Sequence, residues 1–174
     1  MPDTWRGRQV IGLRCEDWQR EEAMYGTLTE ETIEQMLHRH RYGRLGFTLD
    51  GQVYVIPINY AYDGAYIYAH ATPGTKVEGM RHNPSVAFEI DEIDDPAHWR
   101  SVLVHGQAVE LHERGEKEAA FQRIVAQGGG GERSQVTWAL GLDELIVFRI
   151  DITARTGRFE QRQGITLGPM QRHT

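Results

Sequence analysis

The sequence predicts an α+β fold dominated by antiparallel strands, and three observations carry that expectation. Asp50-Gly51 and Asp63-Gly64 separate three β-rich runs, and Asp-Gly tolerates the positive φ that tight hairpin turns require. The later strand candidates have helices inserted among them, but without the regular βαβ alternation of a doubly wound parallel sheet. No Rossmann glycine fingerprint or P-loop occurs. An antiparallel barrel or sandwich with added helices is the class that remains.

The 174 residues are enough for one sizeable core and short for two, so a lead-in over residues 1–26 followed by one domain over 27–174 is expected. The lead-in is rich in Arg, Glu and Asp and shows no clear periodicity. Thr27 with Glu30 then forms a capping box, and Leu28, Ile33, Met36 and Leu37 make an apolar stripe at helical spacing, for a helix ending near His40. Three strands follow, over residues 44–49, 52–62 and 65–71. A short helix over Thr75 to His82 closes at Asn83-Pro84, because the proline disfavours helix before it. Strands over 85–91 and 99–112, a helix over 114–127 with Ala119, Ala120, Ile124 and Val125 available to a core, and a strand over 144–152 complete the order. Gly128 to Gly131 read as a flexible break, and Ser134 to Leu140 as a short helix.

Formal net charge of −6 argues against a surface built for nucleic acid or for an anionic membrane, so any bound anion needs a local site. Cys15 is the only cysteine, which excludes an internal disulfide or thiolate cluster and suits a reducing compartment. No apolar run approaches the roughly 20 residues that span a bilayer, and the expected location is cytoplasmic.

Lys76 is one of two lysines in the chain and follows Gly74-Thr75 at a predicted strand-to-helix junction. A helix N-terminus offers free N–H groups and partial positive charge, Thr75 adds a hydroxyl and Lys76 a full charge, which together suit a phosphate. Alone, the tripeptide reads first as an ordinary helix cap beside a solvated lysine, since caps far outnumber phosphate sites. The preceding strand places Tyr66, Tyr68 and His70 on one face, and so brings His70 next to the junction. Pro57 cannot donate to a sheet ladder, so residues 56–59 mark an edge whose backbone is free either to meet a ligand or to discourage edge pairing.

The segments VYVIPINY, YAHATPGTKVEGMRHNP and WRSVLVHGQAV, in this order and spacing, resemble the pyridoxamine 5′-phosphate oxidase-like family of FMN-binding split barrels, in the branch of nitroimidazole-resistance reductases. The resemblance covers about residues 27–112 well and the last strand loosely. It implies a six-stranded antiparallel split β-barrel of Greek-key type with peripheral helices, and a homodimer with FMN at the subunit interface. It further implies that Ile56, Pro57, Ile58 and Asn59 line the flavin ring, that Ala69 and His70 contact the cofactor, and that Thr75 and Lys76 hold its phosphate. Trp99, Arg100 and Ser101 would contribute from the neighbouring strand or across the dimer, with Val102 completing their motif. The implied activity is FMN-dependent reduction of a small organic acceptor such as a nitroaromatic, with His70 managing a proton. The alternative is a non-catalytic barrel that sequesters flavin or haem, and a deazaflavin could stand in place of FMN.

Departures from the pattern bear on substrate. Tyr54, Asn59 and Thr75 stand where vitamin B6 oxidases carry basic residues, and the chain ends without their Trp and Arg segment, so a second, substrate phosphate would be poorly held. Eight histidines show no tetrahedral-site spacing, and no metal is expected. Trp99 and Trp138 are each read as core or interface residues before flavin lids. Asp91, Glu92, Asp94 and Asp95 are read as a solvated loop.

Overall fold

A computed structural model describes residues 23–127 and 145–162. The Gly128 to Gly131 break, the helix expected over Ser134 to Leu140, Trp138 and Cys15 lie outside the described residues. The elements run β1 (Ala23–Thr27), α1 (Glu30–Arg39), β2 (Tyr42–Leu49), β3 (Gln52–Tyr62), β4 (Tyr66–Ala71), α2 (Thr75–His82), β5 (Ser85–Asp95), β6 (His98–Leu111), α3 (Arg114–Gln127) and β7 (Ile146–Arg162).

All strand pairings are antiparallel. The order β7-β4-β3-β2-β5-β6 closes on itself through β6–β7, so six strands form a barrel and β1 adds a seventh beyond β7. The two hairpins turn where Asp50 and Gly51 (φ 50° and 76°) and Gly64 (φ 96°) take positive φ, as Asp-Gly spacing predicts. From β4 the chain crosses through α2 to place β5 beside β2, the Greek-key step. Residues 23–26, read from sequence as lead-in, instead belong to β1, where Tyr25 pairs with Glu160. Their lack of apolar alternation follows from their edge position, with Met24 and Tyr25 exposed.

The first helix begins later than the Thr27 capping box implies. Thr29 is the cap, its side chain accepting from the Thr32 amide, because Thr27 is committed to pairing with Arg158. Ile33, Met36 and Leu37 join the barrel core of Leu45, Phe47, Tyr60, Ile67, Phe88, Ile90, Val102, Val104, Phe148 and Ile150. A second cluster forms outside the barrel, where Ala120 and Ile124 of α3 cover Ala61, Tyr68, Leu111 and Val147.

Gln127 ties these layers together at the end of α3. Its Oε1 accepts from the Tyr62 amide at 2.8 Å, while Nε2 donates to the His40 carbonyl at 2.9 Å and, more weakly, to those of Leu37 and His38. One amide side chain thus satisfies the frayed carbonyls of α1 and a strand N–H. Gln127→Ala strands these groups and is expected to cost about 1–3 kcal/mol. Thermal unfolding should register it as a drop of about 2–4 °C for each kcal/mol lost.

The acidic stretch at 91–95 is not a loop, since β5 continues to Asp95 and pairs with β6. Glu92 faces the end of α1, where His40 at 2.7 Å, Arg39 at 3.4 Å and Arg100 surround its carboxylate. Burial pushes the Glu92 pKa up, but the hydrogen bonds from His40 and Arg100 together outweigh it and hold the carboxyl below its usual range.

A candidate phosphate and ring site at the split of the barrel

Strands β3 and β4 pair only through Tyr60↔Ala69, Ala61↔Tyr68 and Tyr62↔Ile67. The register would set Asn59 opposite His70, and there the strands part. Residues 52–59 of β3 pair with β2 on one side and with no described strand on the other. Pro57 sits inside this open stretch, opposite Arg44, as expected of a residue that cannot donate to a second ladder. Ile58 is buried in the core, Ile56 is half-buried against it, and Asn59 donates its amide to the Arg41 carbonyl at 2.9 Å.

His70 and the start of α2 form the other wall. Ala69 is buried inside the barrel; His70 faces outward, with its ring edge-on to Phe121 of α3 at 5.9 Å. Its Nδ1 is buried and finds no hydrogen-bond partner among the described residues. Burial pushes the His70 pKa down, and the nearby Lys76 ammonium adds to the effect. Lys76 is half-buried, its pKa is lowered by the same desolvation, and it makes no hydrogen bond or ion pair with any described residue. A cation withdrawn from water without a counterion, beside an orphaned buried nitrogen, is costly unless a polar, anionic group completes both.

The cap of α2 is Gly74, at φ 153°, with no side-chain capping bond. Thr75 is therefore the first helical residue rather than the cap, and its exposed hydroxyl is left for another partner. Gly79 lets this helix lie close to β2, where an added Cβ would fall 2.4 Å from the Phe47 ring and 3.2 Å from the Thr48 carbonyl. Lys76 is thereby fixed at the split.

Trp99, Arg100 and Ser101 are not brought to this wall. They pair with Glu160, Phe159 and Arg158, at the opposite end of β6 from Leu111, whose partner Val147 also pairs with His70. Ser101 and Leu111 lie ten positions apart along the strand, a path on the order of 30 Å. The Trp99 indole donates to Glu160 at 3.0 Å, and Arg100 is engaged by Glu92. Within one chain these three residues therefore stand apart from His70 and Lys76. Val102 is fully buried. Sequence reasoning also missed Phe121, which covers His70, because α3 carries no pattern that singles it out from the helix's other apolar residues.

The low His70 pKa gives a pH signature in the ligand-free protein. The unfolded chain takes up this proton near pH 6.5, while the folded chain resists it, so stability rises with pH across that window. The penalty is absent above about pH 6.5 and develops as pH falls below it. Denaturant titrations from pH 7.5 to 5 should show His70→Gln losing less stability toward acid than the parent; parallel curves would contradict the assignment.

Comparison with known proteins agrees with this fold. The family model for pyridoxamine 5′-phosphate oxidase matches residues 29–159. An FAD-binding protein of Mesorhizobium loti is 32% identical, with 78% of this chain and 98% of that one aligned and a TM-score of 0.64. A candidate 5-nitroimidazole antibiotic resistance protein of Bacteroides thetaiotaomicron is 21% identical over 80% of this chain and 90% of its own, with a TM-score of 0.67, and shares the fold. The FAD binding protein of Mycobacterium smegmatis does so at 22% identity and a TM-score of 0.59, over 80% of this chain and 100% of its own. A curated relative, an uncharacterised protein of Rhizobium meliloti, is 41% identical over 68 residues, and the match spans 45% of its length. Split barrel, match and identity together place this chain in the pyridoxamine 5′-phosphate oxidase family.

Proposed function

We propose that the chain is a flavin-dependent oxidoreductase that works as a homodimer and reduces a small organic acceptor, such as a nitroaromatic. The observation that carries this reading is half-buried Lys76 beside the buried Nδ1 of His70, both without a hydrogen-bond partner among the described residues, at the open edge of β3. FMN answers all three features. Its phosphate suits Lys76, the Thr75 hydroxyl and the first amides of α2. Its pyrimidine edge needs N–H and C=O partners, which the unpaired side of residues 56–59 supplies, and His70 adds a polar contact. When bound, the flavin supplies two-electron chemistry; the chain orients it, excludes water and holds a neutral imidazole that can donate or accept a proton.

The family and the flavin descriptions of two relatives support the cofactor class, and the nitroimidazole description of a third motivates the acceptor class. Vitamin B6 oxidation is disfavoured: Tyr54 stacks on Phe47 with ring centroids 5.2 Å apart, Asn59 is spent on the Arg41 carbonyl, and neither brings a cation.

The outward face of β3, β2, β5 and β6 supports the dimer. Direct register sets Val55, Gly46, Ala87 and His105 in one row and Pro57, Arg44, Glu89 and Leu103 in the next. Val53, Val55, Tyr42 and Ile93 are exposed there at 63–75%. Exposed apolar side chains around the Arg44 ion pairs with Glu89 and Asp91 make a face that a second copy would cover, and a partner's Trp99 to Ser101 would then reach the split.

Purified protein should be yellow, with the absorbance of oxidised flavin, bleached by a reduced nicotinamide and recoloured by a nitro compound. A Soret band, or a deazaflavin spectrum and mass, would replace FMN with those ligands. A coloured protein inert to every donor would leave a binding role without catalysis.

A further inference from the structure

We propose that Lys76 is a carbonyl-capture site, whose amine in the cofactor-free protein condenses with a small aromatic aldehyde to form an imine. The assignment stands on the surroundings of the amine and does not need a flavin. Lys76 is half-buried and makes no hydrogen bond or ion pair with any described residue, so no carboxylate holds it as an ammonium. Desolvation lowers its pKa, and a lysine so placed offers more of the neutral, nucleophilic amine near pH 7. Lys117, the only other lysine, lies on α3 within Coulombic reach of the Glu110 carboxylate, and the two form an internal comparison.

The chemistry needs only proton transfers. The amine lone pair attacks the aldehyde carbon while one N–H proton passes to the carbonyl oxygen; the carbinolamine then loses its hydroxyl with the remaining N–H proton as water, leaving C=N. No electrons enter or leave. His70 is placed to relay these protons, because its Nδ1 is buried without a partner among the described residues, and burial, with the Lys76 charge beside it, favours the neutral imidazole. Phe121 lies edge-on to that ring at 5.9 Å and keeps water from it, which favours dehydration over hydrolysis of the imine. On the opposite wall half-buried Ile56 and exposed Pro57 offer apolar surface to a flat ring. The imine would occupy the nitrogen that the flavin reading gives to a phosphate, so capture and cofactor loading exclude each other.

Benzaldehyde with cyanoborohydride, which fixes an imine as a benzyl amine, tests this on flavin-free protein, with the modified lysines assigned by peptide mass mapping. Lys76 should be labelled on the order of tenfold faster than Lys117 in the folded protein, and the two at equal rates in the denatured chain, which places the preference in the fold. His70→Gln should slow labelling of Lys76 severalfold and leave that of Lys117 unchanged; an unchanged rate at Lys76 would overturn the relay. Excess FMN should protect Lys76. Labelling of Lys76 that FMN does not block would keep the capture site and overturn the phosphate reading, whereas equal labelling of the two lysines in the folded protein would overturn the capture site and leave the phosphate reading standing.

Discussion

Lys76→Ala is expected to lower flavin affinity ten- to a hundredfold while leaving the folded protein at least as stable as the parent. The loss follows from the strength of a hydrogen bond to a charged group, about 1.5–3 kcal/mol. The unaffected stability follows from the site itself: the ammonium has no partner among the described residues, and its pKa is lowered by desolvation, so the free protein bears a cost that alanine removes. Few binding residues separate the two readouts so cleanly, because most also hold the fold. The same reasoning predicts pH dependence. As pH rises through the lowered Lys76 pKa the cation is lost in the free protein, so parental affinity should fall on the alkaline side earlier than an ordinary lysine would allow, and the variant should lack that limb. Fluorescence titration and the flavin-to-protein absorbance ratio measure both effects. Equal occupancy in variant and parent would remove the phosphate assignment.

Much of this site is legible in the sequence because it rests on local chemistry. Asp-Gly turns, the bounds of α2 and α3, and the edge role of Pro57 depend on φ preferences and missing donors that act within a few residues. Gly74, Thr75 and Lys76 stand in one turn, so their juxtaposition needs no long-range information. What the sequence could not show depends on contacts between distant segments. The Thr27 capping box is overruled by pairing with Arg158, more than a hundred residues away. The acidic run at 91–95 becomes strand because β6 provides a ladder and the end of α1 brings Arg39 to Glu92. Phe121 meets His70 only once α3 has folded back over β4, and the separation of Trp99 from Lys76 appears only when β6 is seen to run the length of β7.

Val55→Asp should give the larger effect on cofactor, converting a dimer of twice the 19.9 kDa chain mass into a monomer that purifies without colour. Val55 is 63% exposed in the single chain, so an aspartate there costs the isolated fold little. In a two-fold interface the same substitution appears twice and buries unpaired carboxylates in an apolar surface, a penalty of several kcal/mol on association. Dimers of this kind cover on the order of 800 Å² per partner, and Val53, Val55 and Tyr42 stand exposed on the face around this position. Loss of colour follows because one chain would supply Lys76 and His70 but holds its own Trp99, Arg100 and Ser101 toward the opposite end of β6. A light-scattering mass with the flavin absorbance spectrum decides the matter. A monomeric variant that keeps its flavin at parental affinity would show that residues 56–59, 69–70 and 75–76 suffice alone and that the far end of β6 has no part in the site.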